Sequence, residues 1–177
     1  MNLEPALASI GRAYILEPLG LHGLSHWGRV LENGLRLAKT TGADITVVTL
    51  FAIFHDARRR NEGIDPGHGQ RGAELASRFF STGEIEGVTQ DQLALLEKAC
   101  RLHTKGLRDA DITIQTCWDA DRLDLARAGI TPSPDRLCTQ PARRNELIEW
   151  ASARSLSRHV PYFVDQDWSR WFGSAAP

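Results

Sequence analysis

The dipeptide His55-Asp56 closes the most apolar stretch of the chain, Ile45 to Phe54. Adjacent residues at a helix end point about 100° apart, so both can reach one ion lying beside that end. His26 opens one amphipathic pattern, and Asp121 falls on the apolar stripe of another. Three segments thus offer two imidazoles and two carboxylates. A mixed nitrogen and oxygen set with two anionic members suits a six-coordinate divalent ion (Mn, Fe, Co, Ni or Mg, the identity open) with positions left for water. Two more histidines, His68 and His103, also lie on apolar stripes. A carboxylate on such a stripe needs a partner, a hydrogen-bond network or a metal, because an isolated one is too costly to desolvate.

The elements that must position these groups read as helices. Trp27, Val30, Leu31, Gly34, Leu35 and Ala38 recur at helical spacing, with Arg29, Glu32, Asn33 and Arg36 on the opposite face. That helix is expected to end near Gly42. Ile45 to Phe54 is apolar on every side, which does not separate strand from helix by period; its helical neighbours favour a helix. Gly67 to Phe80 and Gln92 to Gly106 carry His68 and His103 on their stripes. Asp111 to Ala128 places Ile114, Cys117, Trp118, Asp121 and Leu125 on one face and reads as a single helix. The prolines from Pro132 to Pro141 demand a loop, and Asn145 to Arg154 resumes as a short helix. The aromatic tail from Tyr162 to Phe172 shows no period and is expected to pack irregularly over the core or to lid a cleft.

The chain has 177 residues, is 42% hydrophobic and carries 21 basic against 22 acidic residues. These values fit one soluble domain, spanning 1–177, with its core at about 22–130 and a helix and tail at 131–177. The near-neutral balance argues against a dedicated nucleic-acid binder. The longest apolar run is ten residues, far short of the roughly 20 that span a bilayer. The opening Met1-Asn2-Leu3-Glu4-Pro5 has no basic leader before an apolar run, so the expectation is a cytoplasmic protein. Three cysteines without a Cys-x-x-Cys pair disfavour a disulfide framework and a thiolate zinc site.

Ser25-His26-Trp27-Gly28-Arg29-Val30, then Phe54-His55-Asp56, then His68 opening a helix and His103 closing one, and Asp119-Ala120-Asp121-Arg122-Leu123-Asp124, together resemble the HD-domain metal-dependent phosphohydrolases. The resemblance covers roughly residues 22 to 130 and lies in order and spacing. It implies an all-α, single HD-domain helical bundle with a loop-rich C-terminal tail. It also implies an H…HD…D ligand pattern on His26, His55, Asp56 and Asp121, and hydrolysis of a small phosphorylated substrate, a nucleotide or related phosphoester. Asp119 competes with Asp121 for the last position; the Ala-Asp-Arg-Leu string and the helical stripe both favour Asp121, leaving Asp119 and Asp124 as solvated or Arg-paired positions. His68 and His103 resemble the extra histidines of two-metal HD proteins. One-metal roles are preferred, with both acting beside Asp56 in catalysis, contacting the phosphate or protonating the leaving group. Arg58 and Arg59, in the loop after Asp56, are candidates to fork onto phosphate oxygens, and His22 is a candidate for the pocket rim. The alternatives are a non-catalytic nucleotide-sensing or scaffolding module, and an HD-like di-iron oxygenase.

Overall fold

The computed structural model describes residues 2–172. Seven α-helices form the bundle: α1 Glu4–Ala13, α2 Leu24–Thr41, α3 Ile45–Phe54, α4 His68–Thr82, α5 Gln90–Leu102, α6 Ile112–Arg122 and α7 Asn145–Leu156. Among the described residues there is no strand, and no helix is long and apolar enough to cross a membrane.

The uniformly apolar segment is the central helix, α3. Asp44 starts it by accepting from the Val47 amide at 3.1 Å. Val47, Val48 and Leu50 to Phe54 are then buried, and the half-buried Thr49 between them turns its hydroxyl back onto the Ile45 carbonyl at 2.8 Å. A helix apolar on all sides is stable only inside a shell of other helices, and α2, α5 and α6 pack along it. Trp27, Phe51, Phe54, Phe79 and Trp118 fill the spaces between them, each contributing on the order of 1.5–3 kcal/mol by leaving water. Gly42 and Gly83 adopt the left-handed conformation that ends α2 and α4. Thr89 and Gln92 close a reciprocal capping box at the start of α5.

The structure departs from the sequence reading in four places. The helix expected over 111–128 stops at Arg122 and resumes as a 3-10 turn at Leu125–Ala128, because Asp124 is drawn into buried side-chain pairs. Arg29 and Asn33, assigned to a polar face of α2, are buried: Arg29 pairs with Asp124 and Asn33 donates to the Ala120 carbonyl at 3.0 Å. Helix α1 was not foreseen. The aromatic tail is partly helical, with a π-turn at Val164–Trp168 and a 3-10 turn at Ser169–Trp171. It folds back on α1 and α2, where Phe172 meets Tyr14 and Trp27 edge to face at 5.4 and 5.8 Å. Residue 1 and residues 173–177 of the expected single unit lie outside the described residues. Cys100, Cys117 and Cys138 are free thiols.

Candidate metal centre

Five helix ends meet at one point. His26 lies in the first turn of α2 and His68 opens α4, while His55-Asp56 follows α3, His103 follows α5 and Asp121 ends α6. Two close helix crossings hold this arrangement. A side chain on Gly72 would put its Cβ 2.3 Å from the Phe54 carbonyl oxygen, and one on Gly69 would put it 2.3 Å from the Cys100 carbonyl oxygen. The backbone of α4 therefore lies directly on the ends of α3 and α5 that carry His55 and His103.

Each imidazole is aimed by its Nδ1. His55 Nδ1 donates to the Phe51 and Ala52 carbonyls at 3.0 and 3.1 Å, groups left over at the helix end. His103 Nδ1 donates to the Cys100 carbonyl at 2.7 Å, and His68 Nδ1 donates to the Asp65 carbonyl. His26 Nδ1 reaches across the chain to Asp124 Oδ2 at 2.7 Å. With every Nδ1 acting as the donor, all four Nε2 atoms present lone pairs inward.

The lone pairs and carboxylates form two groups that share Asp56. In the first, His26 Nε2 is 3.0 Å from His55 Nε2, 3.6 Å from Asp56 Oδ2 and 3.5 Å from Asp121 Oδ1. His55 Nε2 is 3.8 and 3.9 Å from the same two oxygens. In the second, His68 Nε2 is 2.9 Å from His103 Nε2 and 3.2 Å from Asp56 Oδ1, which lies 3.9 Å from His103 Nε2. Ligand atoms about 2.1 Å from a common octahedral centre lie about 3.0 Å apart when adjacent and about 4.2 Å apart when opposite. The donor set fits a divalent ion in the first group, and it offers a second, poorer set of three ligands on the other oxygen of Asp56.

Fixed charge borders the cluster. Asp124 is fully buried; besides accepting from His26, it pairs bidentately with Arg29 at 2.7 and 3.0 Å. The Arg127 guanidinium donates to the Leu21 and Asp124 carbonyls and brings Nη2 to 3.1 Å from His26 Nε2. Burial, reinforced by Arg127, pulls the His26 pKa down to about 3 and so keeps its lone pair free of a proton. Burial likewise lowers His68 and His103. Burial alone would raise the Asp56 carboxyl, but the surrounding imidazoles hold it below the usual carboxylate range.

The remaining expected residues separate. Arg59 is buried, donates to the Asn61 and Gly63 carbonyls, and lies 3.5 Å from Asp56 Oδ1. It is also 3.3 Å from both ring nitrogens of His68, which places it over the ring face. Arg58 is exposed and lines surface grooves with Arg71; none of the six inward-facing residues lines either groove. His22 holds Glu62 through Nδ1 at 2.6 Å, and its ring centroid is 6.3 Å from that of His26. Asp119, the competitor for the ligand position, turns away. It accepts from the Cys138 amide at 2.6 Å and from the Thr139 amide and hydroxyl at 2.8 Å, so it is neither solvated nor Arg-paired, whereas Asp124 is Arg-paired as expected, though buried. Sequence reasoning missed Asp124 and Arg127 as supports of the site. The available signal was spacing, since Arg29 follows His26 and Asp124 follows Asp121 by three residues each.

The centre opens on one side. The Asp121 side chain is 15% exposed, against 0% for His26 and His55. A cleft of ≈ 350 Å³ begins at Asp121 and His103.

The chain is similar to the crystal structure of a predicted HD superfamily hydrolase from an uncultured Thermotogales bacterium. The two are 26% identical, the match covers 97% of this chain and 99% of that one, and the TM-score is 0.63. No family model matches the chain, and no curated protein does. The all-helical bundle, the His26, His55-Asp56 and Asp121 constellation and this end-to-end likeness together support the HD-domain resemblance read from the sequence.

Proposed function

We propose that the chain is a metal-dependent phosphohydrolase acting on a small phosphorylated substrate, a nucleotide or related phosphoester. The observation that carries this reading is the convergence of four Nε2 lone pairs on the two oxygens of Asp56, with every Nδ1 already engaged. A structural core has no use for lone pairs turned toward one another at 3.0 and 2.9 Å. A divalent ion held by His26, His55, Asp56 and Asp121 supplies Lewis-acid polarisation of a phosphate oxygen and acidification of water.

The chain's own residues supply the rest. Asp124 and the carbonyls at 51, 52 and 100 fix the ring orientations, so little reorganisation is needed when substrate arrives. Arg127 and Arg59 place immobile positive charge at opposite edges of the cluster, where charge on a transferring phosphoryl group needs it. Asp121 forms the exposed edge, the side from which substrate enters. His68 and His103 have only an Nε2 lone pair to offer inward. That favours a second, weaker ligand group sharing Asp56 over donation of a proton to the leaving group.

The test is phosphate release by purified protein from nucleoside monophosphates, triphosphates and cyclic nucleotides with Mn²⁺, Co²⁺, Ni²⁺ or Mg²⁺. Release that disappears in Asp56→Ala, with helical circular dichroism retained, supports the reading. No release under any of these conditions, or oxygen uptake with Fe²⁺ in its place, overturns it.

A further inference from the structure

The cleft beside the centre is built by the same helix that carries Asp121. Arg122, next in sequence, donates through Nη1 to the Arg136 carbonyl at 2.9 Å and through Nη2 to the Leu107 carbonyl at 2.6 Å. One guanidinium therefore ties the segment after α5 to the segment around residue 136, and these are two walls of the cleft. Asp119 pins the same far wall through the Cys138 and Thr139 amides. The width of the cleft is thus fixed before any ligand arrives.

Leu125, Ile130, Pro132 and Leu137 make the lining mostly apolar, and Arg136 supplies a charged group. Arg136 is exposed and forms no ion pair among the described residues. A phosphoester seated at Asp56 and Asp121 must send its organic substituent outward. Of the inward-facing ligands, Asp121 and His103 also line the cleft, so the substituent follows them into it.

We propose that this cleft is the specificity pocket for the leaving group, and that it takes one compact, mostly apolar organic group carrying a polar edge for Arg136. This rests on the phosphohydrolase reading. At ≈ 350 Å³ the cleft is near the lower end of small-molecule sites, roughly 300–1,000 Å³. It holds one ring system on a monoester and excludes dinucleotides and polymers.

The experiment has a binding arm and a turnover arm. In ligand-observed NMR without metal, adenosine gives saturation transfer to the wild type and not to Ile130→Trp, whose indole fills the mouth from an exposed position. In turnover, Ile130→Trp and Arg136→Ala each raise KM for adenosine 5′-monophosphate about tenfold, while kcat/KM for methyl phosphate stays within about threefold of wild type. Equal losses on both phosphoesters, unchanged adenosine binding in Ile130→Trp, or a dinucleotide cleaved as fast as the monophosphate would each overturn the pocket. If wild type released no phosphate from any ester, the phosphohydrolase reading would fail while the adenosine arm still reported on the cleft.

Discussion

Asp124→Asn separates a supporting role at the centre from a purely structural one. In the wild type, the Asp124 carboxylate accepts from His26 Nδ1 at 2.7 Å and from Arg29 at 2.7 and 3.0 Å, and Arg127 Nη1 lies 3.5 Å away. The asparagine keeps the shape but leaves two buried guanidiniums without their carboxylate. Removing one partner of a buried ion pair costs about 3–5 kcal/mol; the amide oxygen still accepts one bond, so the lower end, about 3 kcal/mol, is expected. The amide also presents N–H groups that cannot accept the His26 proton, so the Nε2 lone pair is no longer fixed inward. Loss of such a support costs about 10–100-fold in metal affinity. Asp119→Asn is the matched control, a buried aspartate on α6 whose partners are the Cys138 and Thr139 amides and the Thr139 hydroxyl. It should lose about 1–3 kcal/mol and keep its Mn²⁺ affinity. Urea unfolding of the chelated proteins gives the first quantity, and calorimetric titration with Mn²⁺ gives the second. Asp124→Asn retaining wild-type Mn²⁺ affinity, or both variants losing it equally, would refute the reasoning.

Asp121→Asn should lose both bound metal and turnover, since it removes one of two carboxylates from the first ligand group; elemental analysis after dialysis checks this. The same analysis should find one tightly held ion in the wild type, with a second bound weakly in titration because the only carboxylate at its site is the shared Asp56 and Arg59 lies beside it. His68→Ala and His103→Ala should abolish the weak ion and spare the tight one. Gly72→Ala should destabilise the fold and lower metal content together, because its Cβ meets the Phe54 carbonyl oxygen at 2.3 Å; normal metal content would show that α4 can shift at no cost to the site. For the chelated protein, His26 has a folded pKa of about 3 against 6.5 in the unfolded chain, and His68 and His103 are lowered too. The unfolded state therefore takes up more protons below pH 6.5, and stability should fall with falling pH by about 1.4 kcal/mol per unit for His26 between those two values, with His68 and His103 adding in the same direction. A urea midpoint constant from pH 7 to 4 would contradict this.

The sequence alone determined that the six metal-ligating candidates face inward. A helical period of 3.6 fixes the angle of each side chain about its own axis, so His68, His103 and Asp121 could be read from the apolar residues sharing their stripes. The order and spacing of His26, His55, Asp56 and Asp121 carried the resemblance to the HD-domain family. What the period cannot supply is the neighbour against a helix's other faces. Arg29 and Asn33 read as solvated because polar residues usually are, yet α6 and the turn after it, about 90 residues later, cover that face and bury both. Of three consecutive arginines, Arg59 alone turns inward, and no period exists in the loop to announce it. The division of Asp56 between two histidine pairs likewise depends on where α4 and α5 lie against the end of α3. Those placements are set by the close crossings at Gly69 and Gly72. They are long-range contacts, formed only when the whole bundle closes around its central helix, and that is why only the tertiary structure decided them.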